Sequence, residues 1–300
     1  MKSKLSNKER DIQDFWQENP VGENLTGKNE DWVEHFKLYD AFRYRTEGHI
    51  LGELDKIDFQ DKTVLEIGIG QAADSIQIAQ RGATWSGLDL TEAAVKRANI
   101  RFELANQTYG EAKQGSATTI PWPDNSFNIV YSHGVLHHIP QVKDVSKEIS
   151  RVLEPDGKLI LMVYHKGSLN YYLSIGFIRR VGLAFVLLLD SLGLFKAGKE
   201  SVIGIHIANA RNMGVWNYMN METFIHHNTD GPENPYSKVY NIDDIHQDFE
   251  EFEIEQSGVH FVNVRHFPGL RLLPSFAFLF LEKRFGWHLW GFLRNKKSPS

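Results

Sequence analysis

One turn limits the folds open to this chain: the apolar run Thr63-Val64-Leu65-Glu66-Ile67 passes through Gly68-Ile69-Gly70 into a helical stretch over 72–81. A strand that turns straight into a helix through glycines belongs to a βαβ unit, and such units build parallel sheets. Gly68 and Gly70 let the backbone turn sharply and approach a ligand where any side chain would take the ligand's space. Taken alone, the turn also satisfies a dinucleotide spacing through Gly68, Gly70 and Ala73. Two acids bear on the choice. Glu66 ends a buried strand, where a carboxylate is costly unless it meets a cation, and it would repel a pyrophosphate. Asp89 ends the second strand 23 residues later, placed to accept both hydroxyls of a ribose.

The alternation continues through a strand over 83–90, a helix over 91–106 with Thr91 as its cap, a weak strand over 112–115 and a strand over 127–132. A helix over 142–153, stopped by Pro155 and Gly157, leads to a strand over 158–165. From 167 to 230 the pattern is helical and irregular and reads as a cap. A short helix over 242–249, a strand over 252–264, a helix over 274–285 and a last strand over 286–296 follow. An arm rich in aromatic and charged residues, helical over 32–54, precedes the first strand and is placed to fold over the ligand edge. The chain thus divides into an N-terminal arm (1–58), a ligand-binding core (59–166), a cap insertion (167–235) and a C-terminal completion of the core (236–300).

Four blocks in order, VLEIGIGQAADS, GLDLTEAAV, GSATTIPWPDNSFNIVYSHGVLHHIP and EISRVLEPDGKLILMVYHKGS, span about 63–168. In residue type and spacing this region resembles the class I S-adenosylmethionine-dependent methyltransferases, in the group similar to quinone C-methyltransferases and small-molecule O- and N-methyltransferases. The resemblance implies an α/β, Rossmann-like sheet of seven mostly parallel strands with the last antiparallel, plus the helical cap and N-terminal arm. It implies that Glu66, Gly68 and Gly70 hold the methionine end of S-adenosylmethionine and that Asp89 holds the ribose. Leu90 would pack on adenine, Ser116 and Ala117 would line its pocket, and His133 would touch the cofactor through its backbone. Two departures stand out: Ala72 replaces the usual third glycine, and Ser116 stands where the family commonly has Asp. Tyr44 and Arg45 are candidates for a clamp on the cofactor carboxylate.

The implied reaction is transfer of the sulfonium methyl to an O, N, S or C nucleophile of a small-molecule acceptor. His165, His226, Asp230 and Tyr236, in the cap and at its ends, are the candidate catalytic groups, because the insertion leaves the sheet at the edge where ligands bind. The competing reading is a nicotinamide-dependent oxidoreductase on the same scaffold. A third is a methyltransferase-like scaffold whose cap docks a partner or a membrane. No metal-ligand set is read: in His137-His138 and His226-His227 the adjacent side chains diverge and serve packing or capping.

Composition removes other chemistries. The 300 residues include no cysteine, which excludes disulfides, thiol nucleophiles and cysteine-held metals. A net charge of −5 argues against a nucleic-acid surface built on net charge. The N-terminus lacks the apolar run of a secretory signal and reads as cytoplasmic. The most apolar stretch, 181–189, lies between Arg180 and Asp190 and covers nine residues, where a spanning helix needs about 20. It reads as a buried cap helix, with a peripheral membrane contact left open by its mixture of aromatic and basic residues.

Overall fold

The computed structural model describes residues 5–22 and 31–297. Helix α1 (Asn7–Glu18) opens the chain, followed by α2 (Trp32–Thr46) and α3 (His49–Leu54). The sheet then alternates as β1 (Thr63–Ile67), α4 (Ala73–Gln80), β2 (Thr84–Asp89), α5 (Glu92–Leu104), β3 (Ala112–Gln114), β4 (Phe127–His133), α6 (Val142–Val152) and β5 (Leu153–Tyr164). Its strand order is β3-β2-β1-β4-β5-β7-β6, with β6 (Phe252–His260) and β7 (His288–Asn295) completing the sheet. The neighbours from β3 to β5 pair in parallel, and β7 is antiparallel to both β5 and β6. The strand that follows α6 begins at Leu153, five residues before the expected start at 158. Pro155 and Gly157 fall within it, and its register against β4 shifts between Phe127 and Ile129.

Two apolar layers sandwich the sheet. On one face Leu65, Val130, Leu159 and Leu161 pack with Val145 and Ile149 of α6 and Ile245 of α11 (Ile242–Asp248). On the other, Val64, Trp85, Tyr131 and Trp290 pack with Ile76 of α4, Phe102 of α5 and Leu54 of α3. Between β5 and α11 lies a helical cluster. A ten-residue π-helical stretch, Asn170–Arg179, runs directly into α7 (Arg180–Ser191), and α8 (Val202–Met213), α9 (Val215–Tyr218) and α10 (Met221–His226) follow. Its own core gathers Ile175, Leu183, Leu187, Ile207, Tyr218 and Phe224. Helix α12 (Ser275–Phe285) joins β6 to β7.

Helix α1 was not expected. Ser6 caps it in a reciprocal box with Glu9, a Ser-x-x-Glu signature that the charged N-terminal sequence carries in plain view. Glu9 also reaches the far side of the sheet's ligand edge: Ser116 Oγ donates to it at 2.5 Å and Thr118 Oγ1 at 3.1 Å. Gln13 donates to the Leu90 carbonyl at 2.6 Å. These bonds fasten the helix over the carboxyl ends of the strands. Glu9→Ala removes both the cap box and the anchor, so the protein is expected to lose about 1 kcal/mol of stability in urea unfolding, with α1 amides losing exchange protection first. Unchanged α1 protection would show that Glu9 does not anchor the helix.

Candidate active site

A cleft opens at the carboxyl ends of β1, β2 and β4. Glu66, Gly68 and Gly70 line it, with Asp89, Leu90, Ser116, Ala117 and His133. Ile12, Trp16, Pro20 and Val21 of the N-terminal arm form another wall, and Tyr39, Arg43 and His138 also reach it. All eight residues assigned by resemblance to the cofactor from the core therefore converge on one space.

The glycine turn is shaped by its dihedrals and its neighbours. Gly68 has φ +85°, and a Cβ there would lie 2.1 Å from Val135 Cγ2. Gly70 has φ +56°, and a Cβ there would meet no protein atom within 4 Å; the space beside it belongs to the cleft. Ala72 also adopts the left-handed region, φ +56°, and starts α4, so the missing third glycine is absorbed without losing the turn.

Asp89 clamps this turn. Its Oδ2 accepts from the Ile69 amide at 2.8 Å and the Gly70 amide at 3.3 Å, and its Oδ1 accepts from the Thr91 amide and hydroxyl, each at 2.8 Å. These turn amides are the donors a pyrophosphate would need; here a carboxylate already holds them, which weighs against the dinucleotide reading.

Glu66 is 3% exposed. Its Oε2 accepts from Ser75 Oγ at 2.5 Å and from Trp85 Nε1 at 2.7 Å. Burial, reinforced by the nearby Asp74 carboxylate, pushes its pKa up to about 8. Asp74 itself is saturated with donors: Arg43 Nη2 at 2.6 Å and Nε at 3.1 Å, Tyr44 Oη at 3.1 Å and Tyr131 Oη at 2.9 Å.

The expected clamp of Tyr44 and Arg45 is corrected by this arrangement. Tyr44 spends its hydroxyl on Asp74 and does not line the cleft, while Arg45 is exposed. Residues two apart on a helix face away from each other, so α2 can present only one of its two arginines, and that one is Arg43.

Among the described residues none from 167–235 lines the cleft, so the roof is the N-terminal arm and not the cap. His165 sits beneath the cap with Nδ1 2.9 Å from the Gly286 carbonyl, and His226 has Nδ1 2.8 Å from the Ser237 carbonyl. Burial lowers both pKa values. Tyr236 packs on the His226 ring at 4.9 Å and does not line the cleft. Asp230 does approach it: Tyr164 Oη donates to its Oδ1 at 2.7 Å, and its Oδ2 lies 3.5 Å from His138 Nε2.

His138, read from the sequence as a packing or capping residue, also lines the cleft. Its Nδ1 is 2.8 Å from the Tyr236 carbonyl; a carbonyl only accepts, so Nδ1 carries the proton and Nε2 presents a lone pair. Neither His138 Nε2 nor Asp230 Oδ2 has a hydrogen-bond partner. The two unpartnered atoms face each other across 3.5 Å.

His49, His133 and His288 bring ring nitrogens within 4.8 Å of one another. Arg43 Nη2 approaches His133 Nδ1 at 3.3 Å. A guanidinium only donates, so Nε2 of that ring bears the proton, and a cation would have to displace the arginine and shift the tautomer. The trio is better described as a cluster of neutral histidines with tilted and edge-on rings, with His49 Nε2 3.1 Å from His288 Nδ1.

Sheet order, glycine turn and paired acids together define the S-adenosylmethionine-dependent class I methyltransferase fold. Residues 65–161 match the methyltransferase domain family. An uncharacterized methyltransferase of Bacillus subtilis is 28% identical over 131 residues, 43% of this chain and 52% of that protein. The fatty-acid O-methyltransferase of Mycolicibacterium smegmatis is 33% identical over 102 residues, 33% of this chain and 36% of that protein. The chain thus spans about half or less of the length of these relatives. In structure it is similar to geranyl diphosphate C-methyltransferase from Streptomyces coelicolor, with a TM-score of 0.53 at 13% identity, covering 98% of this chain and 99% of that one.

A cationic ligand group beside Glu66 favours its ionised form, so binding pulls the raised pKa down and releases a proton. S-adenosylhomocysteine is therefore expected to bind more tightly as pH rises toward 8, levelling above the Glu66 pKa of about 8. Calorimetry at pH 7 in buffers of different ionisation enthalpy checks this. Binding with no proton release, or Glu66→Gln binding with wild-type affinity, would remove Glu66 from the ammonium site.

Proposed function

We propose that this protein transfers the methyl group of S-adenosylmethionine to an O, N, S or C nucleophile of a small, partly apolar acceptor. The observation that carries the reading is the convergence of Glu66, the open space at Gly70 and the Asp89 clamp in one cleft. The donor set suits the cofactor. Glu66 is a buried acid that a ligand ammonium would hold in its ionised form, Asp89 lines the cleft where a ribose hydroxyl would share its oxygens with the turn amides and Thr91, and the Leu90, Ser116 and Ala117 wall offers apolar and hydroxyl surface to an adenine.

When bound, S-adenosylmethionine supplies a methyl carbon already activated by a sulfonium, open to in-line displacement. What remains for the protein is alignment and exclusion of water, the main sources of rate for such a step. Helix α1 supplies the roof through Ile12 and Trp16, and Trp16 stands edge-on to His138 at 5.2 Å. His138 and Asp230 together receive the proton of an O–H or N–H acceptor: once protonated, Nε2–H pairs with Asp230 Oδ2 and satisfies both atoms. Tyr164 holds the carboxylate in place. A partly apolar acceptor agrees with the aromatic and aliphatic walls of the cleft, and the fatty-acid O-methyltransferase relative, by its name, acts on an acceptor of that character.

Methyl-labelled S-adenosylmethionine incubated with the protein and an acceptor library that includes fatty acids and phenols, read by mass spectrometry, tests the reading. Labelled product together with binding of S-adenosylhomocysteine is expected; absence of cofactor binding would overturn it. With an O–H or N–H acceptor, His138→Asn and Asp230→Asn should each lower kcat by about 10²- to 10⁴-fold while leaving S-adenosylhomocysteine affinity within about tenfold, or 1.4 kcal/mol. Wild-type kcat in both variants would free the pair of any proton-transfer role.

A further inference from the structure

The helix expected to lie buried beneath a cap is open to solvent along its outer side. Asn170–Ser191 is a continuous 22-residue helix, long and apolar enough to cross a membrane, whose most apolar window has a mean hydropathy of 1.8 and is only 22% buried. Its inner side, with Ile175, Leu183 and Leu187, packs into the cap core. Leu173, Phe177, Val181, Phe185, Leu188 and Leu192 recur at intervals of three or four residues and are all exposed, forming a stripe down the other side.

The two arginines at the middle of this helix deepen the asymmetry. Arg179 donates to the Asn228 carbonyl at 2.8 Å and Arg180 to the Met219 carbonyl at 2.7 Å. Both guanidinium groups point into the protein, so the outward stripe stays apolar.

A second exposed apolar segment adjoins the first. His266 Nδ1 lies 3.1 Å from Asn170 Oδ1, and Arg179 Nη2 lies 3.4 Å from His266 Nε2, which ties the start of the segment leading to α12 against the long helix. In and before α12, Leu272 is 89% exposed, Phe276 77% and Phe280 65%, and Trp216 of α9 reaches 91%. An exposed apolar surface of this extent marks an interaction site.

Charge identifies the occupant. The stretches 192–200 and 264–285 carry six exposed bases, Lys196, Lys199, Arg265, Arg271, Lys283 and Arg284, against one exposed acid, Glu200. The whole chain carries −5, so the positive charge is gathered where the apolar side chains are exposed. Aromatic and aliphatic groups edged by Lys and Arg suit the interface of a bilayer with anionic headgroups. We propose that this face docks on an anionic lipid surface, with the long helix lying in the interface plane and its inner side remaining on the protein.

The experiment uses the full chain and vesicles of phosphatidylcholine alone or mixed with phosphatidylglycerol. Cosedimentation with the mixed vesicles is expected, weakening as salt is raised, with quenching of Trp216 fluorescence by brominated lipid. The triple variant Phe185→Gln, Phe276→Gln, Phe280→Gln alters exposed positions only and should bind mixed vesicles at least about tenfold more weakly. S-adenosylhomocysteine binding serves as its folding control and should be unchanged. Arg271→Glu with Arg284→Glu should remove the preference for phosphatidylglycerol. Wild-type protein that ignores both vesicles, or a triple variant that binds them as well as wild type, would overturn the proposal. So would a dimer in sedimentation that the triple variant dissociates, which would assign the face to a second copy. The readout is binding and not turnover, so its failure leaves the methyl-transfer reading standing.

Discussion

The carboxylate of Asp74 is 4% exposed, and a buried charge of that kind persists only where donors saturate it. Arg43 and Tyr44 come to it from α2 and Tyr131 from β4. Meeting that need draws the N-terminal arm onto the core and fixes which side of α2 faces the cleft. It brings Arg43 against His133 and so sets that ring's tautomer. It also places a second negative charge near Glu66, adding to the burial that keeps the Glu66 carboxyl protonated at neutral pH. A ligand ammonium would enter a site whose charge has been arranged around this one buried acid.

The central βαβ succession was readable from the chain because its signals are local. Alternating apolar strands, Gly68 and Gly70 at left-handed positions, and the Thr91 cap each need only a few neighbouring residues to be recognised. The number and direction of the strands followed from the resemblance. Helix α1 was equally local in its Ser6-to-Glu9 box, and was missed because its charge drew attention away from Ile12, Phe15 and Trp16 on the face that packs. Arg43 was missed for a different reason: choosing between Arg43 and Arg45 depends on which side of α2 meets Asp74, a contact 31 residues distant in sequence.

The pairing of His138 with Asp230 was less legible still. His138 follows β4 and Asp230 lies near the end of the cap, 92 residues further on, and Tyr164 at the end of β5 joins them. Nothing in the LHHIP segment distinguishes its second histidine from its first. The structure separates them by environment. His137 stacks on the Tyr164 ring at 3.9 Å, lacks a partner for either nitrogen and is held well below the usual histidine range by burial. His138 turns one nitrogen to a carbonyl and the other toward a carboxylate, and reaches the cleft. The two rings lie 4.2 Å apart, contrary to the divergence expected of neighbours in sequence, and differ in the groups their nitrogens face.

A related separation explains why composition misled about the cap. A segment rich in Leu, Phe and Val with two arginines reads as a helix that buries its apolar groups and leaves its charges in water. Here the arginines find carbonyl acceptors inside, at Asn228 and Met219, so the helix satisfies its charges without exposing them. Ile175, Leu183 and Leu187, with Tyr171 and Val186 beside them, hold it to the cap core, while Leu173, Phe177, Val181, Phe185 and Leu188 stay exposed among the described residues. Folding alone gives no reason for Phe177, Phe185 and Phe276 to be large and apolar, since a polar side chain at an exposed position costs little. On the docking proposed above, their identity is accounted for by what lies outside the chain, and the clustering of bases beside them favours a surface that is itself apolar within and negative at its edge.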